Sequence, residues 1–332
     1  MKADKIFQKY NNKTPGCAVS IIKDDKTIIE KCIGLADLKT KSLITPNTAF
    51  RLASLTKPFT AMAIMLLSEN SKLNFEDKLS KYFPNFPTFG KEITVRQLLT
   101  HTSGMPDHEK LLYKKIYKGY EPTIYDSYEV LKRINRPLFK PGSDYGYSDA
   151  GYVILALLIE KISGLRYSDF LNKKIFIPLE MNNTIVMDDK KPEVKNRAYG
   201  YRKIKSNYEL FDYDPLNYVV GDEGIYSSLR DLTKWIKAWY TGILVRNITL
   251  IDALEAQKLS GQKQGKCGFS WFITSVNGEK VIYHDGFWVG FNNIMLTFVN
   301  KQLTIIMLSN TTDFPSEKSR INTALNIAQL IN

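Results

Sequence analysis

The sequence predicts an α/β fold of the α+β kind: one antiparallel sheet formed by strands from both ends of the chain, flanked by helices, with a helical insertion between. Three observations predict it. Ala18 to Ile22 and Thr27 to Ile33 read as strands around a polar turn at Asp24-Asp25. Phe269 to Val276, Lys280 to His284, Asn292 to Val299 and Gln302 to Ser309 read as four successive strands, with Asn277-Gly278 as a hairpin signal. Between these groups, from about residue 72 to 200, the chain is turn-rich and helical, with many Pro and Tyr.

The helices follow from their stop and start signals. Phe50 to Ser68 reads as a loop entering a mostly apolar helix. Pro58 fits only a first helical turn, where its missing N–H is harmless, so this helix begins near Ser54. Ala150 to Ile162 is a second apolar helix, closed by Gly164. A final helix spans Ser316 to Ile331. No internal repeat, low-complexity segment or linker interrupts the pattern.

The chain has 332 residues, 44% of them hydrophobic, which is ample for one large or two interleaved domains. Its longest apolar runs, Phe59 to Leu67 and Gly151 to Ile159, fall short of the roughly 18 residues needed to cross a bilayer. The N-terminus, MKADKIFQKYNNK, has no apolar stretch of the signal-peptide kind. The expectation is a cytoplasmic protein as written, or an extracytoplasmic one whose leader is already removed. The net charge of +12 comes from scattered lysines, with one loose cluster at Lys110, Lys114, Lys115 and Lys118. No nucleic-acid motif accompanies it, so no nucleic-acid partner is expected. Cys17, Cys32 and Cys267 form no C-x-x-C, which argues against structural zinc. Cys17 and Cys32 face each other if the hairpin turns at Asp24-Asp25. They would then sit in a hydrogen-bonded pair, where a bridge is awkward, so free thiols are expected.

Two serines compete as nucleophile. In Ser54-Leu55-Thr56-Lys57, positions i and i+3 share a helix face, bringing a Lys amine to a hydroxyl that needs a base. A helix N-terminus adds free N–H groups for an oxyanion. Alone, so short a pattern equally describes a helix cap before a surface lysine. Gly146-Tyr147-Ser148-Asp149-Ala150 nearly matches a nucleophile elbow. The preceding Lys140-Pro141-Gly142-Ser143-Asp144 cannot be the central strand an elbow requires. Three histidines, His101, His108 and His284, are too few and too dispersed for a metalloenzyme motif. Gly261 to Lys266 has the wrong spacing for a P-loop.

Several segments together are more specific than either serine. Phe50-Arg51-Leu52-Ala53-Ser54-Leu55-Thr56-Lys57-Pro58 and Leu98-Leu99-Thr100-His101-Thr102-Ser103-Gly104-Met105-Pro106 resemble the serine β-lactamase and penicillin-binding-protein-like family, closest to its class C and esterase branch. Pro141-Gly142 with Tyr147-Ser148-Asp149, Gly221 to Ser228, and His284-Asp285-Gly286 resemble its later landmarks in order and spacing. The resemblance implies a β-lactamase/transpeptidase-like fold. It implies a sheet domain over residues 1–90 and 200–332, a mainly helical domain over 91–199, and an active site at their junction. It implies Ser54 as nucleophile, with Lys57 and Tyr147 sharing the acid–base work. The backbone N–H groups of Ser54 and Phe287 would form the oxyanion hole, and Asp149, His284, Asp285 and Gly286 would meet the substrate. His101 reads as structural. No metal or organic cofactor is implied; the partner is a small-molecule or peptide substrate, and oligomeric state stays open.

Three departures from the family pattern bear on substrate. Asp149 replaces the usual Asn, Asp285 stands where a small hydroxyl residue or Gly is usual, and Glu223 takes the place of a glycine. Each adds or preserves negative character, so Asp285 is expected to repel the carboxylate of β-lactams and D-Ala-D-Ala peptides. The expected function is hydrolysis of a small ester or amide through an acyl-enzyme, as in an esterase or a D-amino-acid amidase or peptidase; a neutral substrate or one with a free ammonium fits best. The alternatives are a penicillin-binding or sensor protein that acylates but turns over poorly, or a weak β-lactamase or carboxypeptidase. Asp149 beside Lys57 would hold it charged and shift the base role towards Tyr147.

Overall fold

The computed structural model describes residues 11–114, 116, 119–260, 265–314 and 317–329. Four of the readings above touch positions outside these: the first ten residues, Lys115 and Lys118, Gly261 to Gln264, and the ends of the last helix at Ser316 and Ile331. Taken in chain order, the strands that position the site are Cys17–Lys23 (β1), Lys26–Ile33 (β2), Ala49–Arg51 (β3), Ile185–Val186 (β4), Ile225–Ser228 (β5), Phe272–Val276 (β6), Glu279–Trp288 (β7), Phe291–Phe298 (β8) and Leu303–Ser309 (β9). The principal helices are Lys57–Glu69 (α1), Asp149–Ser163 (α2), Leu229–Thr241 (α3) and Glu317–Gln329 (α4).

The main sheet has the order β6-β7-β8-β9-β1-β2, every neighbour antiparallel. The expected sheet from both chain ends is therefore present, closed by β1 pairing with β9. Every residue of β8 and β9 is buried, because both faces of the sheet are covered. On one face Val19, Ile21, Ile294, Leu296 and Met307 pack with Ala324 and Ile327 of α4. On the other, Ala18, Ile22, Met295, Ile306 and Leu308 join the larger core that contains α1, α2 and α3. Two-sided burial explains why these strands read as apolar runs rather than alternating ones. Both expected hairpin turns carry positive φ at their two central residues, 47° and 62° at Asp24-Asp25 and 52° and 81° at Asn277-Gly278.

A second, three-stranded sheet has the order β3-β5-β4. The chain leaves β3 directly into the turn that holds Ser54. The helix expected near Ser54 begins as a 3-10 turn, Ala53–Thr56, and continues as α1 with Pro58 in its first turn. The second expected helix is α2, ended by Gly164 at φ 71°.

Two strand expectations change. Phe269 to Trp271 lie outside β6, because Ser270 at φ 70° and the Gly268 N–H bonded to the Trp271 carbonyl form a tight turn there. His284 does not end its strand: β7 continues to Trp288. The cysteine register also changes. A bulge between Ile21 and Ile22 shifts the pairing by one, so Cys17 lies opposite Ile33 and Cys32 opposite Ala18. A one-residue shift puts the two thiols on opposite faces: Cys17 in the cluster under α4, Cys32 against the larger core. Both are free.

Candidate active site

Ser54 owes its position to contacts from three strands. The Leu52 N–H donates to the Ile225 carbonyl at 2.8 Å, and the Ile225 N–H donates to Thr56 Oγ1 at 3.2 Å, tying the turn to β5. Asn293 of β8 donates from Nδ2 to the carbonyls of Arg51 and Leu52 at 2.9 and 3.3 Å. Gly286 lies opposite Asn293 in the β7–β8 pair. A Cβ on Gly286 would stand 2.1 Å from the Leu52 carbonyl oxygen, so only glycine lets β7 approach the turn this closely. Ala53, immediately before Ser54, sits at φ 53°, a strained conformation for a residue with a Cβ.

Lys57 is wholly buried, and its ammonium has three partners: Ser54 Oγ at 3.1 Å, Asp149 Oδ1 at 2.6 Å and the Asp222 carbonyl at 3.1 Å. Burial disfavours the ammonium, but Asp149, Tyr147 and Asp222 more than offset it and raise the Lys57 pKa. Asp149, the first residue of α2, feels the reverse. Burial works against its carboxylate, and the Lys57 charge and hydrogen bond override this and lower its pKa. Asp149 thus points at Lys57, as expected.

Tyr147 stands beside both, with the Lys57 ammonium 4.9 Å from its ring centre, and Lys57 and Ser54 both act on its phenol. Burial pushes this phenol up; the Lys57 charge pulls it down without cancelling the rise. His101 holds Tyr147 from behind. Its ring stacks on the Tyr147 ring at 4.5 Å, and its Nδ1 accepts the Ser148 N–H at 3.1 Å. Burial drives the His101 pKa well down, so the ring is a neutral prop. Ser148, the rival nucleophile, caps α2: its Oγ accepts the Gly151 N–H at 3.1 Å and donates to the Met105 carbonyl.

Ser54, Tyr145, Tyr147, Phe272, Asp285, Phe287 and Arg320 line one cleft of about 420 Å³. Glu279, beside the two-residue turn, shares its backbone hydrogen bonds with β6, and Lys280 accepts from Val299 on the opposite side. Alternation along β7, whose pairing with β8 is unbroken, then directs the Phe287 N–H away from β8 to the side where β6 has ended. Tyr145, Phe272 and Arg320 went unnoticed in the sequence. Tyr145 shares the tyrosine segment. Arg320 stands 35 residues beyond Asp285, on a helix whose packing no local pattern reveals.

The other expected substrate contacts fall elsewhere. His284 points into the core behind Tyr147 and is 1% exposed. Its Nδ1 bonds the Asp285 carbonyl, and burial drops its pKa to about 4. Gly286 serves close approach rather than lining the cleft. Asp285 does line it, but it is ion-paired to Arg320 of α4, which also bonds Asn292 Oδ1. The expectation of a lone repelling charge is therefore corrected. Glu223 is buried and is not among the residues that line the cleft; burial raises its pKa well above the ordinary range despite nearby Arg51. Among the described residues, no group of three or more His, Cys, Asp or Glu is arranged to hold a metal ion, and no helix is long and apolar enough to cross a membrane.

The turn that holds Ser54 lies against β7 and β8, with α2 supplying Asp149 to Lys57. The Beta-lactamase family profile matches residues 3–329: the chain belongs to that family. Penicillin-binding protein 4* of Bacillus subtilis (strain 168) is 34% identical over 299 residues, covering 83% of this chain and 64% of that protein. Protein flp of Staphylococcus aureus (strain N315) is 26% identical over 327 residues, 92% of this chain and 62% of that one. The chain thus spans just under two thirds of these curated relatives. The octameric penicillin-binding protein homologue from Pyrococcus abyssi superposes with a TM-score of 0.83 at 27% identity, over 96% of this chain and 74% of that one. The D-amino acid amidase from Ochrobactrum anthropi SV3 shares the fold, with a TM-score of 0.79 at 20% identity over the full length of both chains.

Proposed function

We propose that the chain is a serine hydrolase that cleaves a small ester or amide through an acyl-enzyme on Ser54. The observation that carries this is the Ser54–Lys57 contact at 3.1 Å, with Tyr147, over whose ring the Lys57 ammonium lies, lining the same open cleft as Ser54. The Ser54 hydroxyl passes its proton to the phenolate form of Tyr147, which the adjacent Lys57 ammonium stabilises. Ser54 Oγ attacks the substrate carbonyl, and the backbone N–H groups of Ser54 and Phe287 receive the oxyanion. Tyr147 then returns the proton to the departing alcohol or amine. Water repeats the sequence on the acyl-enzyme and frees the acid.

Lys57 and Tyr147 are both held protonated, so the competent form is a minority at neutral pH. The rate is expected to rise with pH into the alkaline range. A panel of nitrophenyl acetate and D-alanine nitroanilide, run on wild type and Ser54→Ala, tests the proposal, with intact mass reporting the acyl adduct. Turnover by wild type and its loss in Ser54→Ala are expected; equal turnover by both would refute the assignment. The Asp149–Lys57 pair favours one second reading, a protein that acylates and deacylates poorly, because a lysine held as ammonium leaves Tyr147 the sole base for activating water in the second step. A stable penicillin adduct without turnover would select it.

A further inference from the structure

Among the described residues lining the cleft, Asp285 and Arg320 are the only opposed charges. Their arrangement is asymmetric. The Arg320 side chain is 4% exposed, with its guanidinium turned to Asp285 Oδ2 and Asn292 Oδ1. The Asp285 side chain is 15% exposed. Among the described residues only its Oδ2 is bonded; Oδ1 has no partner and is left for the cleft. The sheet explains the geometry. Asp285 lies opposite Ile294, on the face that α4 covers, so an arginine from α4 reaches it from behind. The pair is nearly neutral at long range, so net repulsion of anions is weak. At hydrogen-bond range it is not neutral, because the carboxylate is the more exposed of the two, 15% against 4%.

We infer that Asp285, braced by Arg320, is the specificity-determining residue of the cleft and selects ligands that present an N–H or ammonium donor beside the scissile carbonyl. An ionised carboxylate only accepts hydrogen bonds, so a ligand carboxylate at this point finds no partner while an ammonium or amide N–H finds one. The aromatic walls, Tyr147 stacked on Phe272 at 6.0 Å, add a surface on which a cation is also favoured. This inference rests on the acyl-enzyme reading for the place of the scissile bond, but its test needs no turnover.

Alaninamide, N-acetylalaninamide and N-succinylalaninamide, each as both enantiomers, form a matched cationic, neutral and anionic set. Their affinities are to be measured by isothermal titration on the Ser54→Ala protein, with thermal melts confirming the fold of every variant. The expected order is cationic, then neutral, then anionic, with about tenfold between the extremes. Asp285→Asn in that background is expected to collapse the spread to within about twofold. Arg320→Gln, which leaves the carboxylate unbraced and uncompensated, is expected to widen it. Equal affinities in the parent protein, absence of binding by all three, or a spread that Asp285→Asn and Arg320→Gln move in the same direction would overturn the inference. Where Asp285→Asn fails to fold, the direction of the Arg320→Gln change decides. Turnover that survives Ser54→Ala refutes the acyl-enzyme reading instead, so the two failures are separable.

Discussion

Lys57 directs its ammonium to a hydroxyl, a carboxylate and a carbonyl, and the carboxylate decides its charge. An Asn at position 149 would keep an acceptor for Lys57 but remove the counter-charge. Asp149→Asn is therefore expected to lower the Lys57 pKa and move the alkaline limb of the kcat/KM profile down by about one to three pH units. It removes a charge-assisted hydrogen bond and is expected to lower stability by about 1–3 kcal/mol. A limb that stays in place in Asp149→Asn, measured with nitrophenyl acetate, would separate Lys57 from the rate-limiting proton transfer. Ser54 and Lys57 were legible because one turn of helix relates them. Asp149 was legible as a departure from a family pattern. The bracing of Asp285 by Arg320 was not, since 35 residues separate them and only the folded sheet brings them together.

At the level of elements, the site is a 3-10 turn held against a strand. Gly286 and Asn293 face each other across β7 and β8, the first by lacking a side chain, the second by using one. Gly286→Ala would drive a methyl group into the Leu52 carbonyl, which cannot yield without moving Ser54. The expectation is a loss of about 100-fold in the rate of fluorophosphonate labelling, followed by intact mass. The expected change in stability is only about 1–3 kcal/mol. A normal labelling rate would show that the turn adjusts independently of the strand. The hairpins and α2 were readable because their turn residues, cap and Gly164 are local signals. The β7 continuation past His284 was not, because Asp285-Gly286 interrupts the strand pattern and only the ladder with β8 carries it through to Phe287 and Trp288. The cysteine register failed for a similar reason: a bulge costs one residue, and nothing in the run Thr27 to Ile33 marks it.

Across the whole molecule, buried ionisable groups crowd around Lys57. Burial, and the charges of Asp149, Asp222 and Asp107, push Glu109 up to about 8; burial pushes Asp222 up to about 7. Burial drops His108 and His284 to about 4. The signs differ. A raised acid contributes stability that is complete below its ordinary pKa and is lost as pH climbs through the folded value. A depressed histidine contributes stability above its ordinary 6.5, lost as pH falls towards 4. Between pH 4 and 6.5 the two kinds oppose each other, so wild type alone is a poor reporter. Glu109→Gln isolates one. Its melting temperature relative to wild type is expected to rise as pH increases from about 4.5 to 8, then level off. A difference independent of pH would mean that Glu109 ionises normally.

The pairing of β1 with β9 has a consequence for synthesis. Ser54 and Lys57 are made early, yet the turn that presents them hangs from Ile225, Gly286 and Asn293, and the sheet behind it closes only when Leu303–Ser309 adds to Cys17–Lys23. A chain still emerging from the ribosome therefore carries its nucleophile without a working cleft. Contacts this distant in sequence form late and slowly. On the proposed reading, reactivity at Ser54 therefore waits until Leu303–Ser309 has been made and has paired with Cys17–Lys23.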